Sequence, residues 1–199
     1  MSEQVSQLEL NNDVSLNLHS EVLTYSLVNE PGLRSVIHLQ GCSLGCKGCF
    51  NPNTHDFDSG YIKTIREVCN VIPRDVEGVT ISGGEPFQQP EGLLALVKAL
   101  RVRGYSIIVF SGYTKAELNK LPLGPEILKC VDILVDGRYV YQKPATEGLR
   151  GSSNQVIHFL SDRYSNTVLL ERQTEISILN NGKVLITGFP NEKLKNVFL

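Results

Sequence analysis

Apolar positions along the chain alternate between two rhythms. The runs Ser35-Val36-Ile37-His38-Leu39, Gly78-Val79-Thr80-Ile81-Ser82, Tyr105-Ser106-Ile107-Ile108-Val109-Phe110 and Val131-Asp132-Ile133-Leu134-Val135 are short and nearly continuous, the pattern of strands covered on both faces. A further strand is expected over residues 155 to 160. Between these runs the spacing turns helical. From Gly60 to Ile72, residues Tyr61, Ile62, Ile65, Val68, Cys69 and Ile72 predict a helix with Ser59 as its N-cap and Pro73 as its stop. A second helix starts near Pro90, directs Leu93, Leu94, Leu96, Val97 and Leu100 to the core, and ends before Gly104. Thr114-Lys115-Ala116-Glu117 reads as a capping box opening a third, which Pro122 cuts short.

Strands alternating with helices predict right-handed βαβ crossovers and a mostly parallel sheet. About five to six strands are too few to close an eight-stranded barrel. The expected fold is therefore α/β, an open partial (β/α) barrel. The flanks differ from this core. Residues 1 to 33 hold short alternating segments, read as edge strands or an extended lead-in. The segments Glu175 to Leu179 and Lys183 to Thr187, joined by Asn180-Asn181-Gly182, predict a β-hairpin on a type I′ turn, and Asn191 to Leu199 a short terminal helix. One domain over 1–199 is expected, with a lead-in at 1–33, the core at 34–160 and a C-terminal hairpin extension at 161–199.

Composition narrows the function classes. The 199 residues are 41% hydrophobic, enough for a sizeable core, and 19 basic residues nearly balance 21 acidic ones. With no Lys/Arg run, nucleic acid and anionic membranes are poor candidates as partners. Met1 to Leu10 is polar and no apolar run reaches the length of a membrane span, so a cytoplasmic protein is expected.

Candidate chemistry centres on Gly41-Cys42-Ser43-Leu44-Gly45-Cys46-Lys47-Gly48-Cys49-Phe50-Asn51. Three of the five cysteines fall here, spaced C-x3-C-x2-C just after a predicted strand. Cys69 and Cys130 sit in core patterns and read as small buried hydrophobes. A structural zinc or closed [4Fe-4S] site takes four ligands, so three thiolates suggest a cluster with one iron left open. The glycines would let the loop fold closely around it. The same cysteines with His55 or His38 could instead form a Cys3His zinc site. Loops 41–53, 82–87, 111–113 and 136–138 all follow the carboxyl ends of strands, where parallel α/β folds place ligands.

With Ser82-Gly83-Gly84-Glu85-Pro86 also in view, the chain resembles the radical SAM superfamily, and within it the subgroup that activates glycyl-radical enzymes. Further matching stretches are Gln40-Gly41-Cys42, Gly48-Cys49-Phe50-Asn51, Ser111-Gly112-Tyr113, Val135-Asp136-Gly137-Arg138 and Arg150-Gly151-Ser152-Ser153-Asn154-Gln155, in the family's order over roughly residues 25 to 160. The resemblance implies a [4Fe-4S] cluster on Cys42, Cys46 and Cys49 that binds S-adenosyl-L-methionine and cleaves it reductively to a 5′-deoxyadenosyl radical. It implies cofactor contacts from Phe50, Asn51, Ser82, Gly83, Gly84, Glu85, Ser111, Asp136 and Arg138, with no side chain acting as the catalyst itself. The implied substrate is a polypeptide, most specifically a glycine of anaerobic ribonucleotide reductase, with an electron donor such as flavodoxin or ferredoxin. A peptide-modifying enzyme that cross-links a ribosomally made precursor is the alternative. Where many members carry an aromatic just before the third cysteine, this chain has Gly48, followed after Cys49 by Phe50. The tail from about 161 extends beyond the minimal activase.

Overall fold

The computed structural model describes residues 14–146, 148–164, 173–178, 182 and 184–189. Four parallel strands form its centre: β3 (Arg34–Leu39), β5 (Gly78–Gly83), β6 (Ser106–Ser111) and β7 (Ile133–Asp136). Antiparallel strands extend both sides. β1 (Ser15–Leu18) and β2 (Leu23–Ser26) pair with β3, β4 (Tyr61–Thr64) pairs with β1, and β8 (Val156–Phe159) pairs with β7. The sheet runs β4-β1-β3-β5-β6-β7-β8 with β2 off this path, and its end strands do not meet, so the partial barrel expected from the sequence is open. A separate hairpin joins β9 (Thr174–Ile178) to β10 (Val184–Gly188). Its predicted turn lies largely, and the predicted terminal helix wholly, outside the described residues.

Alternation sorts the side chains of the parallel strands between two faces. On one, Ile37, Leu39, Val79, Ile81, Ile107, Val109 and Leu134 share a core with helix α2 (Pro90–Val102) through Leu93, Leu96, Val97 and Leu100. Each such fully buried side chain contributes roughly 1.5–3 kcal/mol. On the concave face, Ile108, Ile133 and Val135 pack with Leu149, Phe110, Ile157 and Phe159. The amino end of that face is filled by Arg34, fully buried with Thr80 and Ser106. Its guanidinium donates to Thr80 Oγ1 at 2.9 Å, Pro31 O at 3.1 Å, Ser106 Oγ at 2.9 Å, Val79 O at 3.0 Å and Ser106 O at 3.1 Å. A buried cation is tolerable when its donors are met in this way.

One predicted helix is corrected. Residues Tyr61–Thr64 form strand β4, and α1 begins only at Ile65 (Ile65–Asn70) with Thr64, not Ser59, as its N-cap. Thr64 Oγ1 accepts from Glu67 N at 3.2 Å while Glu67 Oε2 accepts from Thr64 N at 2.8 Å. Tyr61 and Ile62, assigned to the helix's buried face, are exposed on an edge strand whose register with β1 overrides the helical spacing. The Thr114 capping box forms as expected at α3 (Lys115–Leu118), and a short α4 (Gly124–Leu128) precedes β7. No described helix is long and apolar enough to cross a membrane.

Candidate active site

The cysteine loop leaves the carboxyl end of β3 and returns through a short 3₁₀ turn at Pro52–Thr54. Gly41, Gly45 and Gly48 have φ of +95°, +60° and +71°, the left-handed region anticipated for a loop this tight. Main-chain bonds pin both ends: Gly41 N to Thr54 O at 2.8 Å, Cys42 N to His55 O at 3.1 Å and Cys49 N to Cys46 O at 3.2 Å.

Cys42, Cys46 and Cys49 are free thiols of intermediate exposure, and all three line one cavity of about 210 Å³ at the carboxyl ends of the parallel strands. Phe50, Asn51, Ser82, Gly83, Gly84, Glu85 and Ser111 line it with them. Ten of the twelve residues singled out from sequence are thus brought together. Asp136 and Arg138 are placed elsewhere. The Asp136 carboxylate is 4% exposed, accepts from Lys115 N, and lies 3.0 Å from His158 Nε2 without hydrogen-bond alignment. Arg138 is paired with Glu117 at 3.1 Å and stands 5.5 Å from the centre of the Tyr113 ring.

Glu85 ties the loops together. Its carboxylate, 1% exposed, accepts from Phe87 N at 3.0 Å, Ser111 Oγ at 2.9 Å and Gly112 N at 2.7 Å. Burial outweighs these three donors and pushes its pKa up to about 7. Burial likewise pushes the Cys42 and Cys49 thiols up. Iron would reverse that, because coordination deprotonates a thiol outright. His38, on the wall of the same cavity, is pushed down to about 4 by burial and then by the nearby His19, and is neutral at pH 7.

The donor set fits an iron–sulfur cluster. Among the described residues no three His, Cys, Asp or Glu side chains gather closely enough to hold one metal ion. A cluster takes each thiolate on its own iron and asks only that the three line a common cavity. Gly83 and Gly84 leave the cavity wall next to the cysteine loop bare of side chains. A Cβ on Gly83 would lie 2.3 Å from Leu39 N, and one on Gly84 2.3 Å from Gly41 O.

Sequence reasoning missed Gln88 and Gln89, and it quoted Gln40 in a matching stretch without giving it a role. Gln88 Nε2 donates to Ser43 Oγ at 2.7 Å and Tyr113 Oη at 2.9 Å, and its Oε1 accepts from Ser43 N at 3.0 Å, clamping the cysteine loop to the loop after β6. Gln40, 1% exposed, donates to Asn53 O and Asp56 O, while Gln89 donates to Gln40 O at 2.8 Å. For Gln88 and Gln89 the only sequence signal is position, just after the Gly83-Gly84 motif. Gln155, from the last of the matching stretches, accepts from Gly151 N and Ser152 N and donates to Gly137 O, fastening its own loop. Phe50 packs on Tyr139 from that loop with ring centres 4.6 Å apart.

Glu117 offers an electrostatic test of how the Arg138 region is held. The Thr114 backbone N–H, then the Thr114 hydroxyl, then Arg138 hold its carboxyl down at about 2. Its folded pKa lies below its unfolded one of about 4.5, so its contribution to stability is present above that value and lost as pH falls towards 2. Both partners are nearly half exposed, so solvent screens the effect. Glu117→Gln should lower stability modestly in the neutral region and flatten the acid limb between about pH 4.5 and 2, so that the variant and wild-type curves converge near pH 2. Thermal unfolding across that range reads this directly, and an unaltered acid limb would refute it.

A family model described as a 4Fe-4S single cluster domain matches residues 28–158. The anaerobic ribonucleoside-triphosphate reductase-activating protein of Salmonella typhi is 35% identical over 146 residues, covering 67% of this chain and 93% of the relative. Its counterpart from Vibrio cholerae is 35% identical over 156 residues, covering 72% and 97%. Among solved structures, QueE from Escherichia coli matches with a TM-score of 0.46 at 22% identity, over 54% of this chain and 57% of that one. The resemblance read from the motifs is borne out: the chain belongs to the 4Fe-4S single cluster domain family and to the anaerobic ribonucleoside-triphosphate reductase-activating proteins.

Proposed function

We propose that this chain activates an anaerobic ribonucleoside-triphosphate reductase by removing a hydrogen atom from a glycine Cα of that polypeptide. In this reading Cys42, Cys46 and Cys49 hold a [4Fe-4S] cluster, and S-adenosylmethionine binds in the adjoining cavity. The observation that carries it is the convergence of three free thiols, the Gly83-Gly84 turn and the Ser111-Gly112 turn on one cavity at the carboxyl ends of parallel strands. When bound, the cluster supplies the electron that cleaves S-adenosylmethionine to methionine and the 5′-deoxyadenosyl radical that takes the hydrogen.

The protein's share is positioning and shielding. Gly83 and Gly84 let main chain approach the cofactor without side chains in the way, while Ser82, Phe50 and Asn51 line the space around it. Glu85 fixes the turn after β5 to the turn after β6 through Ser111 and Gly112, so the two sides of the cavity move as one. Asp136 and Arg138 act from behind, by ordering the loops after β6 and β7. Electrons come from a low-potential carrier such as flavodoxin or ferredoxin, in the cytoplasm.

Anaerobically reconstituted protein should be brown and should form 5′-deoxyadenosine when dithionite and S-adenosylmethionine are added. The reductase present in the mixture should then show a glycyl-radical signal by electron paramagnetic resonance. A colourless protein, a cluster whose spectrum ignores S-adenosylmethionine, or cleavage that leaves the reductase without a radical would each overturn the proposal.

A further inference from the structure

The hairpin β9–β10 lies beyond residue 158, where the family match ends. It nevertheless reaches the cavity. Ile186, Thr187, Gly188 and Phe189 form part of its wall, facing the same space as the three cysteines. Thr187 is 6% exposed, and its Oγ1 accepts from Asn29 Nδ2 at 3.0 Å. Asn29 is itself fixed, since Nδ2 also donates to Ser26 Oγ at 2.8 Å and its carbonyl accepts from the Thr80 hydroxyl at 3.1 Å. Thr80 in turn accepts from the buried Arg34. The end of β10 is thus bonded, step by step, to the base of the barrel. Gly188 closes the joint: its φ is +86°, and a Cβ there would lie 3.0 Å from Val28 Cγ2 and 2.3 Å from Gln173 O. Away from this end the hairpin is open to solvent, with Ile176, Ile178 and Val184 exposed.

We propose that the hairpin is a specificity-determining wall: it borders the path of the polypeptide substrate to the cavity, Ile186 provides the apolar contact for the segment that enters, and the Asn29–Thr187 bond sets the wall's position. This rests on the reading that the substrate is a polypeptide. A hydrogen bond anchored at one end in a buried network holds a strand in place at small entropic cost, because Asn29 is already ordered. A two-stranded ribbon is marginally stable by itself, so the bonds that dock it matter to where it sits. Its placement therefore depends on that bond and on the close approach of Gly188 to Val28.

The test uses the full-length reconstituted enzyme and the anaerobic ribonucleoside-triphosphate reductase as substrate, with Asn29→Ala and Ile186→Ala. Hydrogen–deuterium exchange on the metal-free chain supplies a second readout. Asn29→Ala should speed amide exchange in β10 by about fivefold or more and raise KM for the reductase by a similar factor, the size expected for one lost hydrogen bond, with kcat within about twofold. Ile186→Ala should raise KM comparably without changing exchange, since it removes contact and not the latch. Active wild-type enzyme with unchanged KM in both variants, or a fall in kcat alone, would overturn the wall. Wild-type enzyme inert towards the reductase would overturn the reading of the previous subsection, and this one with it.

Discussion

Alanine in place of Cys42, Cys46 or Cys49 is expected to strip iron from the anaerobically purified chain and to lower 5′-deoxyadenosine formation by more than about 100-fold. That exceeds what losing an outer partner of a metal ligand costs, because here a ligand itself is lost. Cys69→Ala is the control. Its thiol is 1% exposed among Ile65, Val68 and Ile72 in the helix-side core, away from the cavity. Removing it should cost stability on the order of 1 kcal/mol and leave iron in place. Iron and sulfide per chain, with the paramagnetic signal of the reduced protein, decide the matter. Full iron in any of the first three variants would remove that cysteine from the ligand set.

The second large effect concerns a position with no functional group at all. In Gly84→Ala the new methyl would sit 2.3 Å from Gly41 O and 2.8 Å from Gly41 C, and neither atom belongs to a flexible side chain. The same strands of main chain are already drawn together by Gly84 N to Leu39 O at 2.7 Å and Glu85 N to Gly41 O at 2.9 Å. A methyl group must therefore break these bonds or shift the loop that begins at Cys42. We expect about 3 kcal/mol or more of destabilisation, a fall in Tm of roughly 6–12 °C, from overpacking at an incompressible contact. Iron incorporation should fall with it, since Gly41 precedes the first thiol. Thermal unfolding of the reduced, metal-free protein separates the packing effect from the metal. A Tm within about 1 °C of wild type would show that the loops yield, contrary to the tight packing argued here.

Much of this was legible in the chain because the signals were local. The buried parallel strands announced themselves as apolar runs, Pro90 and the Thr114 capping box marked helix starts, and the three cysteines with Gly83 and Gly84 carried their chemistry in their spacing. One failure was local, the Thr64–Glu67 capping box passed over in favour of Ser59, and the others were of long range. Tyr61 and Ile62 fit a helical period, yet pairing with β1, more than forty residues earlier, made them a strand. Nothing in the sequence around Arg34 marks it as buried. Its burial follows from oxygens offered by residues 31, 79, 80 and 106, which only the fold assembles. Gln40, Gln88 and Gln89 have no periodic signature, and a glutamine amide reveals its purpose only through its partners. The arrival of Thr187 beside Asn29 spans 158 positions and could not be read from either segment.

The plugged amino end of the concave face has a consequence for traffic. Arg34 stops the far end with neutral oxygens directly around it, and the Tyr164 hydroxyl links it onward to the carboxylate of Glu77. Among the described residues the amino end of the concave face is thus filled, and the cavity lies at the carboxyl end with the cysteine loop. If the bound polypeptide covers that end in the proposed reaction, the spent methionine and nucleoside depart through the doorway it occupies. Turnover would then require the protein substrate to step aside before the small fragments can be exchanged for a fresh charge, which makes each activation a separate visit.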